Sequence, residues 1–236
     1  MDIQKFLSEG KSHFLSNLSI DHVIIGYEHK KLKCLLLEVG EKWLLPGGFV
    51  KRNEAVDYAV ARILKDRTRL ENAHTQFLSV FGEEGRQFSA QWKQLLERFG
   101  LLWKEDYWIN ARFVTLAYYS LVNIREVHPQ PGFEYGSVSW FDFDDLPDMW
   151  MDHKQIVMRA RLRLKEDISV HQVSYNLLPD RFTMPELHQL HQTILGEKID
   201  RSRFQKKMLA TGIFERLPKL QKEAPGRNPF QYRVRI

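Results

Sequence analysis

The chain has 236 residues, of which 43% are hydrophobic and 28% are charged, enough for one large domain or for a main domain and a smaller one. Cys34 is the single cysteine, which excludes an internal disulfide framework, and its apolar neighbours predict a buried strand residue. The sequence has neither a run of about 18 uncharged apolar residues nor an apolar signal core near its start, so we expect a cytoplasmic protein with no membrane contact.

The formal net charge of +5 is unevenly distributed along the chain. Residues 198–236 contain eleven Lys or Arg and three Asp or Glu, a formal charge of +8, which leaves −3 for the other 197 residues. Such asymmetry is typical of a segment that binds nucleic acid.

Strands and one amphipathic helix are predicted in the first part of the chain. Apolar and β-branched runs predict strands at residues 18–27 and 32–39, then a short strand at 43–48 that ends in a Gly-Gly turn. A helix follows, because five apolar residues share one helical face: Val56, Ala59, Val60, Ile63 and Leu64. Further strands are predicted at residues 76–81, 111–122 and 138–141.

Two segments interrupt or follow this pattern. Residues 82–109 are rich in Trp and Phe and are interpreted as an insertion with a helix that covers one side of the sheet. Residues 152–167 predict a connector helix whose basic face we interpret as solvated. The boundary between the two parts should lie near residues 168–179, and we assign 1–165 to one domain and 166–236 to the other.

The C-terminal part predicts two helices joined by a tight turn. Thr183 and Glu186 form a capping box, and Gly196 stands at the left-handed end of the first helix. Asp200 caps the second helix, which ends at Gly212. The core face of the second helix is predicted to contain Phe204, Met208 and Leu209.

Basic and polar side chains cover the remaining faces of the second helix, and a strand at 213–217, a basic loop and a strand at 232–236 follow. Helix, turn, helix and hairpin is the order of a winged helix. Lys and Arg neutralise phosphates, and Arg and Gln can read base edges in the major groove. A solvated face is the alternative, but the charges occur on both the helix and the loop. The candidate DNA-binding residues are Arg201, Ser202, Arg203, Gln205, Lys206, Lys207 and Arg227.

His188 and His191 lack the companions that a metal site needs, so packing or surface roles are expected.

The spacing of Gly48, Glu54 and Arg62 reproduces the opening of the Nudix signature, G-x5-E-x7-R-E-U-x-E-E-x-G-U with U aliphatic, and the chain here resembles that family. In the family, the helical glutamates hold Mg²⁺ against a diphosphate. Here Ile63, Asp66 and Arg67 stand in place of the three later glutamates, and Arg69 replaces the terminal glycine. We therefore expect no hydrolysis, no cofactor and no metal.

Together, the Nudix-like signature and the winged-helix ending resemble the Nudix-related transcriptional regulators, over roughly residues 13–81 and 110–236. The resemblance implies an α+β fold in which a Nudix-type α/β/α sandwich with a mixed sheet precedes a small winged-helix domain. It also implies a homodimer that binds double-stranded operator DNA and a small-molecule effector. The charged loop usual at residues 82–109 of the family is expected to be replaced by the Trp-rich insertion. Candidate effector-binding residues are Gly48, Glu54, Arg62, Asp66, Phe81 and Arg112.

Two effectors are implied by the resemblance, ADP-ribose or a sugar such as arabinose. We favour the sugar, because aromatic residues of the insertion could stack on its ring, although they could equally belong to the core: Trp92, Trp103, Tyr107 and Trp108. One alternative is a pyrophosphohydrolase that uses Mg²⁺ held by Glu54, Asp66 and a further acid among Glu83, Glu84 and Asp106. Another is a nucleotide-binding scaffold whose basic tail contacts RNA.

Overall fold

The computed structural model describes residues 3–131, 136–221 and 228–235. Helices and strands alternate irregularly along the chain, as expected for an α+β protein. The helices are α1 (Ile3–His13), α2 (Val56–Thr68), α3 (Ser89–Arg98), α4 (His153–Val170), α5 (Met184–Leu195) and α6 (Arg201–Ala210). The strands are β1 (Phe14–Glu28), β2 (Lys31–Val39), β3 (Lys42–Leu44), β4 (Gly47–Lys51), β5 (His74–Phe81), β6 (Val114–Leu121), β7 (Val138–Asp142), β8 (Phe182–Thr183), β9 (Phe214–Lys219) and β10 (Phe230–Val234).

Seven strands form one mixed sheet in the order β3-β2-β1-β6-β5, with β4 also paired to β1 and β7 to β2. β1 and β6 are parallel, whereas β1 is antiparallel to β2 and β4. Helix α2 covers one face through Ala59, Val60 and Ile63, and α4 covers the other through Ile156 and Ala160. The predicted α/β/α sandwich with a mixed sheet is confirmed. Cys34 is buried in β2 as predicted, and its burial raises the pKa of the thiol.

Helix α1 is absent from the sequence-based prediction, and β1 starts four residues earlier than predicted. The helix contacts a 3-10 turn at Trp108–Asn110, where the indole Nε1 of Trp108 donates to the carbonyl of Phe6 at 2.9 Å. This approach depends on Gly10, because a Cβ there would lie 2.3 Å from the same indole nitrogen. The N-terminus and the 82–109 segment therefore fold as one unit over the edge of the sheet.

Helices α5 and α6 and a three-stranded sheet of order β8-β10-β9 form the C-terminal unit. The capping box of Thr183 and Glu186, the left-handed Gly196 and the Asp200 cap are all as predicted. Strand β8 was not predicted. The expectation that Leu209 faces the core is wrong, since its side chain is 41% exposed. Leu209 follows Met208 by one residue, and a 100° step along the helix takes its side chain away from the core face.

Helix α4 connects the two units and extends to Val170, three residues beyond the predicted end. Near its end, Asp167 is buried and accepts a hydrogen bond from the hydroxyl of Tyr119 on β6. The guanidinium of Arg163 also contacts Asp167 at 3.0 Å. The same helix packs against α5. Because α4 is continuous to Val170, the division proposed between residues 165 and 166 falls inside this helix. Across the described ranges, no helix is both long and apolar enough to cross a membrane.

Candidate functional site

A cleft of about 1190 Å³ lies beside the C-terminal half of α2 and the start of β4, and α1 and α3 also contribute residues to its wall. Its wall has a cationic part and an aromatic part. Charged groups are contributed by Asp21, Arg62, Asp66, Arg67, Arg69 and Arg86, and aromatic rings by Phe6, Phe14, Phe49, Phe88, Trp92, Phe99 and Phe113. A ligand that joins an anionic group to a flat ring is complementary to such a wall.

Arg62 and Glu54 form a two-pronged ion pair at one side of the cleft. The Nε and Nη2 atoms of Arg62 each lie 2.7 Å from one oxygen of Glu54, and Nη2 also donates to the carbonyl of Phe49 at 3.0 Å. The pair lowers the pKa of Glu54 and raises that of Arg62. Both oxygens of the one signature glutamate that this chain retains are thus engaged by a neighbouring guanidinium.

Arg86 is a site residue that the sequence analysis missed. Its side chain is buried, its Nε donates to Asp152 at 2.8 Å, and its Nη2 lies 3.6 Å from Asp21. Asp21 is itself buried and accepts from the hydroxyl of Thr115 at 2.9 Å. Residues 82–109 thus contribute one charged residue to the cleft wall, and its carboxylate partners come from β1 and the N-cap of α4. Arg86 and its two aspartate partners lie 65 or more positions apart in the sequence, so local sequence carries little signal for these contacts.

His153 lies in the wall next to this ion pair. Its Nδ1 accepts from the backbone N–H of Leu45 at 2.8 Å, and burial lowers the pKa of the ring despite the nearby carboxylates of Asp21 and Asp152. A neutral imidazole that accepts a backbone hydrogen bond fixes the turn before β4 to the first turn of α4. Its role is positional.

Arg67, in the last turn of α2, differs from Arg62 and Arg86 because its described hydrogen-bond partners are carbonyl oxygens alone. Its Nη1 donates to the carbonyl of Pro131 at 3.1 Å, and Nη2 lies 3.5 Å from that of Gly47. Its Nε is buried without a hydrogen-bond acceptor among the described residues. Burial lowers the pKa of this guanidinium, although Asp66 opposes the change. Arg69 follows in a left-handed conformation, with φ of 64°, and still ends the helix where the family has glycine.

The residues at this position do not fit the magnesium site of the Nudix family. Glu54 is bound by Arg62, and the side chain of Asp66 is 56% exposed and lies 3.8 Å from the same arginine. Ile63 is buried beneath Gly48, where a Cβ on the glycine would meet it at 3.0 Å. The described part of the chain contains no group of three or more His, Cys, Asp or Glu that could hold a metal ion. The donors that Mg²⁺ prefers are therefore not assembled here.

The aromatic part of the cleft is built mainly as core. Trp108 is only 8% exposed and packs against the rings of Phe6, Phe14 and Phe49. Of the four aromatic residues proposed for stacking, Trp92 alone is among the residues that line the cleft in the described structure. Trp103 and Tyr107 pack against the same aromatic cluster, so three of the four serve the core.

The structure brings together only part of the predicted effector set. Gly48, Arg62 and Asp66 line the cleft, and Glu54 is held beside it by Arg62. Phe81 and Arg112 do not line it and are corrections to the set. Phe81 packs against the main core because β5 turns its side chain toward α4, while Arg112 is exposed and its guanidinium donates to the carbonyl of Gly82.

The helix pair α5 and α6 presents a second candidate surface. Phe204 and Met208 are buried, and the ring of His191 packs on Phe204 and pairs with the hydroxyl of Ser174 at 2.8 Å. His188 contacts the carbonyl of Ile199, so both histidines serve packing, as expected. The predicted DNA-binding residues on the helix are all exposed: Arg201, Ser202, Arg203, Gln205, Lys206 and Lys207. The predicted Arg227 and its neighbour Lys222 lie outside the described residues.

Strands β9 and β10 form a hairpin next to this helix pair, with further cations on it. The guanidinium of Arg216 lies 3.3 Å from the ring centroid of Phe230, and the ammonium of Lys219 lies 5.3 Å from it. Arg216 and Lys219 of the hairpin are exposed, as are the cations of α6. This arrangement is suited to a phosphate backbone flanking a helix.

Two family models match the chain. The NUDIX domain matches residues 18–160, and the NrtR DNA-binding winged helix domain matches residues 174–234. A curated relative, the ADPR responsive transcriptional repressor NtrR of Acinetobacter baylyi, is 23% identical over 97% of this chain and 86% of its own length.

Solved structures resemble both parts of the molecule. Shewanella oneidensis NrtR, crystallised with a 27mer DNA, has a TM-score of 0.73 and 24% identity over 92% of this chain and 93% of its own. A MutT/nudix family protein from Enterococcus faecalis has a TM-score of 0.68 and 22% identity over 100% and 94% of the two chains. At these identities the similarity establishes the order of a Nudix fold followed by a winged helix.

Proposed function

The chain belongs to the Nudix-related transcriptional regulators, and from this premise we propose that it binds operator DNA under the control of a small-molecule effector. The observation that carries the proposal is the exposed cationic face of α6, the second helix of the helix-turn-helix. We assign DNA binding to residues 166–236 and effector sensing to residues 1–165. The name of the Acinetobacter baylyi relative, a transcriptional repressor, supports this assignment. Such a protein would act in the cytoplasm, where its DNA target lies.

The position of the charges on α6 favours DNA over simple solvation. The first two turns contain Arg201, Arg203 and Lys206, all exposed, while Phe204 is buried and anchors the helix in the core. Within the described residues, none of these three cations lies within 4 Å of a carboxylate. Their charge is thus available to phosphates, and a helix N-terminus is the part that a recognition helix directs at base edges.

We propose that the Nudix unit senses its ligand without hydrolysing it and needs no cofactor. Hydrolysis in the family requires carboxylates that hold a metal against a diphosphate, and here Arg67 and Ile63 replace two of them. The acids named for a pyrophosphohydrolase, Glu83, Glu84 and Asp106, are exposed and are not among the described residues of the cleft.

The effector that suits the cleft best is ADP-ribose or a similar nucleoside diphosphate. A cationic wall beside aromatic rings matches a molecule in which a diphosphate joins a base and a sugar. The relative from Acinetobacter baylyi is named for its response to ADPR. A plain sugar would leave the arginines without an anionic partner, although Trp92 offers it one stacking surface.

A binding assay on the protein's own promoter region tests the regulator. Fluorescence anisotropy of labelled promoter DNA should show saturable binding by the full chain, in excess over unrelated DNA of equal length. Addition of ADP-ribose should change the affinity at least several-fold, whereas arabinose should not. Equal affinity for promoter and unrelated DNA would contradict the regulator, and a response to arabinose alone would contradict the nucleotide effector.

A turnover assay separates the sensor from a pyrophosphohydrolase. The purified chain, with Mg²⁺ or Mn²⁺ and ADP-ribose, should release no AMP at a rate near that of ordinary enzymes. Turnover of about 1 per second or faster would assign the cleft to catalysis.

A further inference from the structure

Arg67 occupies a place in α2 where the Nudix signature has a glutamate that helps to hold Mg²⁺. The substitution reverses the sign of the charge at the site that faces a bound diphosphate. In the family, a dication supplies the positive charge and the carboxylates hold it there. In this chain the positive charge is already part of the helix.

The arginines of the cleft are not equivalent as partners for an anion. Arg62 is bound on two nitrogens by Glu54, and Arg86 is held between Asp152 and Asp21. Arg67 has no carboxylate within 4 Å among the described residues and contacts only carbonyl oxygens. One of these contacts is long, at 3.5 Å, and the Nε hydrogen has no acceptor in the described part of the chain.

A guanidinium has five N–H donors in a planar fork that matches two phosphate oxygens. The described residues therefore use only part of this capacity at Arg67. Burial also disfavours the charged form of this side chain, and an anion beside it would offset that cost. Arg69, exposed at the cleft edge and bonded to the neutral amide of Gln130, adds a second cation next to it.

We propose that the guanidinium of Arg67 takes the place of the magnesium ion, so that the cleft binds a diphosphate group directly and without a divalent cation. The inference rests on the proposed effector role of the cleft and specifies its ligand chemistry. The diphosphate contacts Arg67, with Arg69 at the edge, and the attached ring extends toward Trp92 and the aromatic wall. No metal-bound water is formed at this site, so the diphosphate remains intact.

The test is a calorimetric titration of the full chain with inorganic pyrophosphate and with ADP-ribose, each in EDTA and in excess MgCl₂. Wild type should bind both ligands in EDTA, and MgCl₂, which itself binds pyrophosphate, should not strengthen either affinity by more than about twofold. Arg67→Met should weaken both ligands in EDTA by about tenfold or more, the scale of a lost charge-assisted hydrogen bond. Arg67→Lys keeps the positive charge but lacks the planar set of N–H donors, so its affinity should lie between those of wild type and Arg67→Met.

Arg112→Met is the matched control, because Arg112 is an exposed arginine outside the cleft, and it should bind like wild type. Thermal melting shows whether each variant is folded, and Arg67→Lys provides the comparison if Arg67→Met is unstable. A wild type that binds these ligands only with Mg²⁺, or much more tightly with it, would overturn the proposal, and so would a folded Arg67→Met or Arg67→Lys that matches wild type in EDTA.

The two ligands separate failure of this inference from failure of the proposed effector. Binding of pyrophosphate that depends on Arg67, together with no binding of ADP-ribose, would support the anion site and refute ADP-ribose as the effector. Binding of ADP-ribose that is independent of Arg67 would refute the anion site and leave the effector in place. Absence of binding by both ligands would refute both.

Discussion

Replacement of Arg201, Arg203 and Lys206 by Ala, singly and together, should remove DNA binding and leave the fold intact. The three side chains are exposed, whereas Phe204 and Met208 are the buried residues of α6. The N-cap survives in each variant, because Asp200 accepts from the backbone N–H of Arg203 at 2.7 Å and not from its side chain. Each single substitution should therefore change the free energy of unfolding by no more than about 0.5 kcal/mol.

The effect on DNA binding depends on what each side chain contacts. We expect Arg201 or Arg203 to read a base, and loss of such a contact should cost about 1–3 kcal/mol, or about 5- to 150-fold in affinity. We expect Lys206 to contact a phosphate. Its loss should weaken binding to all sequences and reduce the slope of log affinity against log salt by about 0.9.

The assay is operator affinity by anisotropy at several salt concentrations, with melting temperature as the folding control. Arg159→Ala is the matched control, since Arg159 is an exposed arginine on α4, whose basic face we interpret as solvated. It should bind DNA like wild type. If the triple variant is folded and binds its operator with wild-type affinity, the recognition helix is assigned wrongly.

Three further predictions concern stability and assembly. Arg69→Gly should raise the free energy of unfolding by about 1 kcal/mol in urea titrations, because the residue is left-handed, and a decrease would contradict this strain argument. Burial lowers the pKa of His191 to about 4 from an ordinary 6.5, so the unfolded chain binds a proton first as the pH falls. Stability should thus be lost between about pH 6.5 and 4, by up to about 1.4 kcal/mol per pH unit for this group, and His191→Gln should lose less stability than wild type over that range. The protein should sediment as a symmetric dimer near micromolar concentration, because two-fold operators are read by two-fold proteins, and a stable monomer would contradict this.

Local patterns predicted most of the secondary structure, because each depends on neighbours a few residues apart. The apolar spacing in α2, the capping box at Thr183 and the cap at Asp200 are all formed as predicted. Helix α1 and strand β8 were missed for the opposite reason. Helix α1 gains its packing from Trp108, and β8 pairs with Tyr232, partners that lie far away in the sequence.

The candidate site was harder to predict than the fold. The signature fixed the positions of Gly48, Arg62 and Asp66, because a motif of known spacing defines one turn and one helical face. Arg86 was missed because it enters the cleft through ion pairs with Asp152 and Asp21, and no local pattern records such contacts. Arg69 adopts the left-handed conformation at the end of α2. A helix can therefore end there without glycine, although the conformation raises the free energy of the folded chain.

One continuous helix, α4, runs from the wall of the cleft to the C-terminal unit. Its N-cap residue Asp152 is the partner of Arg86 in the cleft wall, and its last turn carries Asp167, tied to Tyr119 of the sheet. Eighteen residues of α-helix span about 27 Å. A continuous helix resists bending, and α4 packs on α5. We therefore expect a ligand that displaces Asp152 to shift α4 and, through α5, the helix pair that is proposed to bind DNA.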